Sequence, residues 1–265
     1  MKVREIYQYI DKIAPFSTQL DYDNAGLLMG SMEMNVERVL VTLDVTLEVA
    51  KEAARRKCQL IVSHHPLIFH GLKSVTPDDP TGAVVLELAR RGIAVISAHT
   101  NWDQALGGVS DVLMERLGIT SEGFLEPAGQ TADGKTYGMG AIGVLEHAVP
   151  PKEFAKSVKA ALNARGLRVV LGNRPVKKVA VCGGAGGDLV RKAADWGADA
   201  YVTADVKYHE FLEAYQRGIT LVDGGHFATE DPAMDTLCEK LNDAFSSGGI
   251  EFFRTQKHKE VYFSL

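Results

Sequence analysis

The chain has 265 residues, 46% of them hydrophobic and 24% charged, with a formal net charge of −5. That balance belongs to a globular protein with length for one large domain or two modest ones, and it excludes disordered and fibrous classes. No block of like charges occurs, and the small basic cluster Lys257-His258-Lys259 is broken by Glu260, so nucleic acid is not an expected partner.

Three cysteines, Cys58, Cys182 and Cys238, lie far apart with no CxxC pair. Neither a thiolate zinc site nor a disulfide framework is expected, and a reducing cytoplasm fits best. The opening MKVREIYQYIDKIAP carries charges throughout and has no apolar core, unlike a signal peptide. Apolar runs elsewhere stop short of the ~18 residues that a membrane span needs.

In chain order, apolar residues at 3, 6, 7, 10 and 13 predict a helix ended before Pro15, and a short strand is expected over Ala25–Met29. An alternation follows: strand Arg38–Asp44, helix Thr46–Lys57, strand Gln59–Ser63, helix Thr81–Arg91, strand Ile93–Ser97 and helix Val109–Leu117. Strands apolar on both faces between amphipathic helices predict an α/β fold with a largely parallel, covered sheet. The glycine-rich stretch Pro127–Gly138 breaks this rhythm and is the expected domain boundary. After it come strand Ala141–Leu145, helix Lys152–Asn163, strands Arg168–Leu171 and Lys178–Cys182, and helix Leu189–Trp196. Strand Ala200–Thr203, helix Tyr208–Gln216 and strand Ile219–Val222 complete the second alternation. A last helix is expected to start at Asp231-Pro232, with Asp as cap and Pro at the first position. Ile250–Arg254 and Val261–Leu265 read as edge strands.

Four of the eight histidines stand in short polar motifs directly after these strands. SHH (63–65) follows QLIV, SAHTNWD (97–103) follows IAVI, and GGHFATE (224–230) follows ITLVD. In open parallel sheets ligands bind beyond the carboxyl ends of strands, so three such strands can build one site. Successive side chains on a regular strand point to opposite faces, so His64 and His65 share a cavity only if the strand ends there. Pro66 makes a rigid exit of that kind. Held so, the two rings diverge and each could serve a different ion of a close pair; the alternative is two solvent-facing loop histidines.

Asp103 and Glu230 add carboxylates, and imidazoles with carboxylates suit Zn²⁺, Fe²⁺ or Mn²⁺. His226 and Glu230, four apart, share one face if that stretch is helical, although the Asp231-Pro232 signal places the helix proper after them. Asp44 is either a support for the site or a helix cap. His99 is either an orienting or proton-carrying residue or a buried histidine bonded to backbone. Asp205, Lys207 and His209 in TADVKYHEF either line the same mouth or form a solvated helix start, the second reading being slightly favoured. His70, His147 and His258 read as surface residues. The run CGGAGG (182–187) fails the dinucleotide fingerprint, because the third glycine position is Leu189, and is either a phosphate cradle of backbone N–H groups at the helix start or, the favoured reading, a tight turn.

Together DNAGL (23–27), SHHP, HTNWD, TADVKYHE and GGHFATE resemble one family, the Nif-three-like or GTP cyclohydrolase type 2-like group of dinuclear metal-binding proteins. The motifs stand in that family's order and spacing over nearly the whole chain, and the length fits its short form. The resemblance implies two divalent ions (Zn, Fe or Mn) held by His64, His65, Asp103, His226 and Glu230. It implies a two-domain α/β subunit of segments 1–127, 128–222 and 223–265, the last returning to the first domain, and assembly into a homohexameric ring. The function it implies is a metal-dependent hydrolase acting on a small molecule such as a nucleotide, cyclic amide or phosphoester, the family reaction being hydrolytic opening of the guanine ring of GTP. His99 and His209 are the expected proton carriers. The alternative is a non-catalytic metal-binding protein or ring-shaped interaction scaffold.

Overall fold

The structure, a computed structural model, describes residues 1–262. Its elements in chain order begin with α1 (Val3–Ile13), β1 (Gly26–Met29), β2 (Arg38–Thr42), α2 (Leu47–Arg55), β3 (Leu60–Ser63), α3 (Pro80–Arg91), β4 (Ala94–Ser97) and α4 (Thr100–Asp103). They continue with α5 (Val109–Arg116), β5 (Ser121–Gly123), β6 (Glu126–Gln130), β7 (Thr136–Met139), β8 (Ala141–Val149), α6 (Pro151–Ala161), β9 (Arg168–Val170) and β10 (Val176–Ala185). The remainder are α7 (Val190–Trp196), β11 (Ala200–Ala204), α8 (Tyr208–Arg217), β12 (Thr220–Asp223), α9 (His226–Ala244) and β13 (Glu251–Arg254). No helix among the described residues is long and apolar enough to cross a membrane.

The chain divides into two compact units. The first comprises Met1–Trp102 and Met234–Lys259; the second comprises Asp103–Ala233 and the residues from Glu260. The division thus falls at Trp102, not in the glycine-rich stretch 127–138, which forms the β6–β7 hairpin inside the second unit.

In the first unit one sheet runs in the order β1-β4-β3-β2-β13, with β1 antiparallel and the other pairs parallel. Every residue of β3 and β4 is buried, as both-face coverage requires. Leu40, Ile61 and Val95 pack with Val49, Ala50 and Leu88 of α2 and α3. Val39, Val41, Leu60 and Val62 alternate with them onto the other face and are fully buried too. Each such large side chain stabilises the fold by about 1.5–3 kcal/mol. The Thr46 side chain caps α2 by accepting from Val49 N, and Asp79 caps α3 by accepting from Gly82 N.

In the second unit six strands run β5-β8-β10-β11-β12-β9, with β10, β11 and β12 parallel and the others antiparallel. Val179, Val181, Val202 and Val222 pack against Phe154, Val158 and Leu113 on one face. Ala180, Cys182, Tyr201 and Leu221 pack against Val190, Ala193 and Ala214 on the other.

Two expectations at the C-terminal end are corrected. α9 starts at His226, not at Asp231, and Pro232 lies inside it. The chain enters the helix straight from Gly225, whose carbonyl accepts from Thr229 N at 3.2 Å. Pro232 therefore forgoes only one intrahelical bond, to the Ala228 carbonyl, which the buried helix tolerates. The edge strand expected over Val261–Leu265 lies partly outside the described residues, and Val261 and Tyr262 are not in a strand.

Candidate metal centre

Register sets the histidine cluster of the first unit. Thr42 pairs with Ser63 and Ser63 with Ser97, so β2, β3 and β4 end at one level. The residues just beyond those ends are Asp44, His64-His65 and His99. Strand pairing continues briefly past the sheet, with His64 N and His65 N donating to the Thr42 and Leu43 carbonyls. Ser63 Oγ and Ser97 Oγ lie 2.8 Å apart, and Ser63 Oγ donates to the His65 carbonyl. The backbone carrying both histidines is therefore held on each side.

His64, His65 and His99 can each place one ring nitrogen so that all three lie within 4.8 Å of one another. Their ring centroids are 5.0–5.5 Å apart. Each presents its Nδ1 to an oxygen. His64 Nδ1 is 2.8 Å from the Ala98 carbonyl, His65 Nδ1 2.8 Å from Asp44 Oδ1, and His99 Nδ1 2.7 Å from Asp23 Oδ1. An oxygen acceptor there holds a proton on Nδ1, and in the neutral ring the lone pair then lies on Nε2, the arrangement found in metal-ligating histidines. Burial opposes ionisation of Asp23, but hydrogen bonds from His99 and Thr100 outweigh it and hold the carboxyl at about 2. In Asp44 too the opposing effect of burial is outweighed, here by the His258 and His65 rings, and its carboxyl sits well below the usual range. Beside His65 and Asp44 opens a cavity of about 550 Å³, walled by Leu47, Pro66, Leu67 and Val84 with Asp44 and Asp78, and by no lysine or arginine.

In the second unit the parallel strands again end together, Thr203 pairing with Asp223 and Ala204 with Ala185. Beyond those ends stand Asp205 and His226, with Gly184 one residue inside the end of β10. His226 and Glu230 fall one turn apart on α9, His226 Nε2 lying 2.9 Å from Glu230 Oε2. His226 Nδ1 lies 2.7 Å from Asp205 Oδ2, so Asp205 does for His226 what Asp44 does for His65. Asp205 adopts φ +52°, a left-handed turn that aspartate tolerates. With Nδ1–H given to Asp205, the His226 Nε2 lone pair faces a carboxylate oxygen, a pair that a shared proton or a metal ion brings together.

Gly184 carries the rest of the geometry. Its φ is +64°, and a Cβ built there would lie 1.9 Å from Glu230 Oε1. Its N–H donates to Thr229 Oγ1 at 3.0 Å. The CGGAGG run is thus less a tight turn than a backbone stripped of side chains so that α9 can bring its carboxylate close. Asp103, at the end of α4, is buried. Burial first, then the charges of Asp103, Asp188 and Glu230, push the buried Cys182 thiol well above its ordinary value.

His209 stands exposed at the start of α8, its ring 5.5 Å from Tyr208. Lys207 is the residue that caps α8, whereas Asp205 supports His226 instead of forming part of a solvated helix start. Asp23, within the DNAGL motif, carries no local signal of its role, standing 76 positions before the ring it orients. His258 is corrected. Its side chain is only 6% exposed, with Nε2 3.0 Å from Asp44 Oδ2. Pairing of β13 with β2 through Arg254 and Val41 carries the following residues over the exit of β2, a consequence of topology that no local pattern signals.

The sequence model of one family, described as Duf34/NIF3 (NGG1p interacting factor 3), matches residues 1–260. The chain belongs to the Duf34/NIF3 family. Among relatives of the Duf34/NIF3 chain is a Clostridium perfringens protein named GTP cyclohydrolase 1 type 2 homolog, 32% identical over 263 residues and covered to 99% on both sides. Another is the Protein NIF3 homolog of Schizosaccharomyces pombe, 33% identical over 240 residues, spanning 87% of this chain and 85% of that one. Among solved structures, a Bacillus cereus protein related to NIF3 superposes with a TM-score of 0.94 at 25% identity, over 100% of this chain and 99% of that one. The α/β fold read from sequence is therefore that of NIF3-related proteins. The donors in this NIF3 chain, imidazoles anchored through Nδ1 together with buried carboxylates, fit a borderline divalent metal ion.

Proposed function

We propose that the protein is a metal-dependent hydrolase of the GTP cyclohydrolase type 2-like kind, using two divalent ions held by His64, His65, Asp103, His226 and Glu230. One observation carries this reading. Four imidazoles, those of His64, His65, His99 and His226, each set Nδ1 against an oxygen, which in the neutral ring leaves Nε2 to ligate a metal ion or carry a proton. Surface histidines have no reason to share one tautomer, whereas ligands and proton carriers do.

When bound, the ions supply Lewis acidity, which brings the pKa of a water towards neutrality and polarises the bond under attack. His99, its ring and tautomer fixed by Asp23, offers Nε2 to take or give the proton. His209 is the second residue proposed for proton transfer. The cavity beside His65, apolar with two carboxylates in its wall, suits an uncharged ring bearing N–H groups, such as a nucleobase or cyclic amide.

His64→Ala and Glu230→Ala should each lower metal affinity by more than about 100-fold and abolish turnover, with far-UV dichroism unchanged. The check is metal titration beside a hydrolysis screen of nucleotides, cyclic amides and phosphoesters. Metal-replete wild type inert across that panel would sink the catalytic reading. The homohexameric ring is part of the same proposal. Tyr208, Leu212 and Tyr215, exposed at helical spacing on α8, support self-association. Light scattering should give six times the chain mass, and a monomer at micromolar concentration would contradict it.

A further inference from the structure

Asp44 orients His65, and Asp44 is itself held from the far end of the chain. Its carboxylate takes His65 Nδ1 on Oδ1 at 2.8 Å and His258 Nε2 on Oδ2 at 3.0 Å. An ionised carboxylate only accepts, so both ring nitrogens donate. With one partner the half-exposed Asp44 side chain could swing; with two its plane is fixed, and the His65 ring with it.

The segment delivering His258 is fastened by a group the metal centre does not use. Glu52 on α2 is a carboxylate only 4% exposed, a costly position unless hydrogen bonds compensate it. Its oxygens accept from Thr255 Oγ1 at 2.5 Å and from Gln256 N at 3.1 Å, beside the ion pair to Arg56 at 3.2 Å. Thr255 N donates to the Val41 carbonyl and Lys257 N to Thr255 Oγ1. Residues 255–258 are thus a strap tied to a buried carboxylate at one end and to the partner of a metal ligand at the other.

We infer that His258 is a positioning residue for the metal centre, locking Asp44 and through it the His65 ring, with Glu52 anchoring the strap that carries it. The inference rests on the metal reading above, in which His65 is a ligand. It makes the C-terminal segment part of the metal-binding apparatus although it offers no ligand itself.

The test is calorimetric titration of metal-stripped, full-length protein with Zn²⁺ against a competing chelator, together with the Co²⁺ absorption spectrum. His258→Ala should weaken the ion bound through His65 by about tenfold or more and alter the Co²⁺ bands. His258→Gln keeps an Nε2–H that can reach Asp44 and should restore both. Glu52→Gln, remote from the ligands, should weaken the same ion. Unchanged affinity and spectrum in His258→Ala would overturn the inference. Equal losses in the Ala and Gln variants would also overturn it, since ring packing rather than the donated hydrogen bond would then matter. Wild type that binds no ion would remove the metal reading and this inference together.

Discussion

Gly184→Ala is expected to displace the Glu230 carboxylate and weaken metal binding while leaving the fold in place. The new Cβ would lie 1.9 Å from Glu230 Oε1 and 2.9 Å from Glu230 Cδ, so the carboxylate must leave its position. Because that carboxylate ends a flexible side chain, the steric cost is relieved by rotation. What remains is the left-handed backbone at φ +64°, about 1–2 kcal/mol for a residue with a Cβ. Metal affinity, by contrast, should fall by more than about 100-fold, because a ligand and not merely its support is displaced. Thermal denaturation of the metal-free protein and metal titration separate the two effects. Gly184→Ala with wild-type affinity would take Glu230 out of the ligand set.

Asp23→Ala is the second substitution with a large expected effect, this time on both stability and turnover. The Asp23 carboxylate accepts from His99 Nδ1 at 2.7 Å, Thr100 N at 3.0 Å and Thr100 Oγ1 at 2.5 Å. Removing it strands these donors together with the Asn24 N–H, which donates to Oδ1 at 2.7 Å, a loss of about 3 kcal/mol. It also frees the His99 ring to change tautomer, which should reduce kcat by about 10²–10⁴-fold if His99 carries the proton. The pH dependence has a definite sign. The Asp23 carboxyl is held at about 2 against an ordinary 3.8, so its contribution is fully present above about pH 4 and is lost as pH falls towards 2. Some 2 kcal/mol should disappear across that window. Asp23→Ala should lack this acid limb, and urea denaturation at pH 5, 4 and 3 reads the difference. Parallel pH profiles for wild type and variant would show that Asp23 is not held in this way.

The features legible in the sequence were those with local causes. The buried run Leu60-Ile61-Val62 ending in His64-His65-Pro66 announces a covered strand and a rigid exit, and the structure places both histidines at that exit. The supports of the histidines were less legible, because each arrives from another segment. Asp23 reaches His99 across 76 positions and Asp205 reaches His226 across 21. His258 reads as a lone surface residue until β13 is known to lie beside β2. The start of α9 differs from the local signal for the opposite reason. Asp231-Pro232 is a good local start signal, but the bond from Thr229 N to the Gly225 carbonyl shows the helix already under way. Likewise the glycines of 182–187 look like a turn in sequence, and only the approach of Glu230 explains why a side chain is absent at Gly184.

The central claim is that this chain holds two divalent ions through Nδ1-anchored histidines and buried carboxylates. Elemental analysis of freshly purified protein, repeated after stripping and reloading with Zn²⁺, Fe²⁺ or Mn²⁺, tests it most directly. Two ions per chain are expected in wild type, with fewer in His64→Ala and Glu230→Ala. A reloaded wild-type protein that retains no stoichiometric metal, or variants that retain as much as wild type, would contradict it.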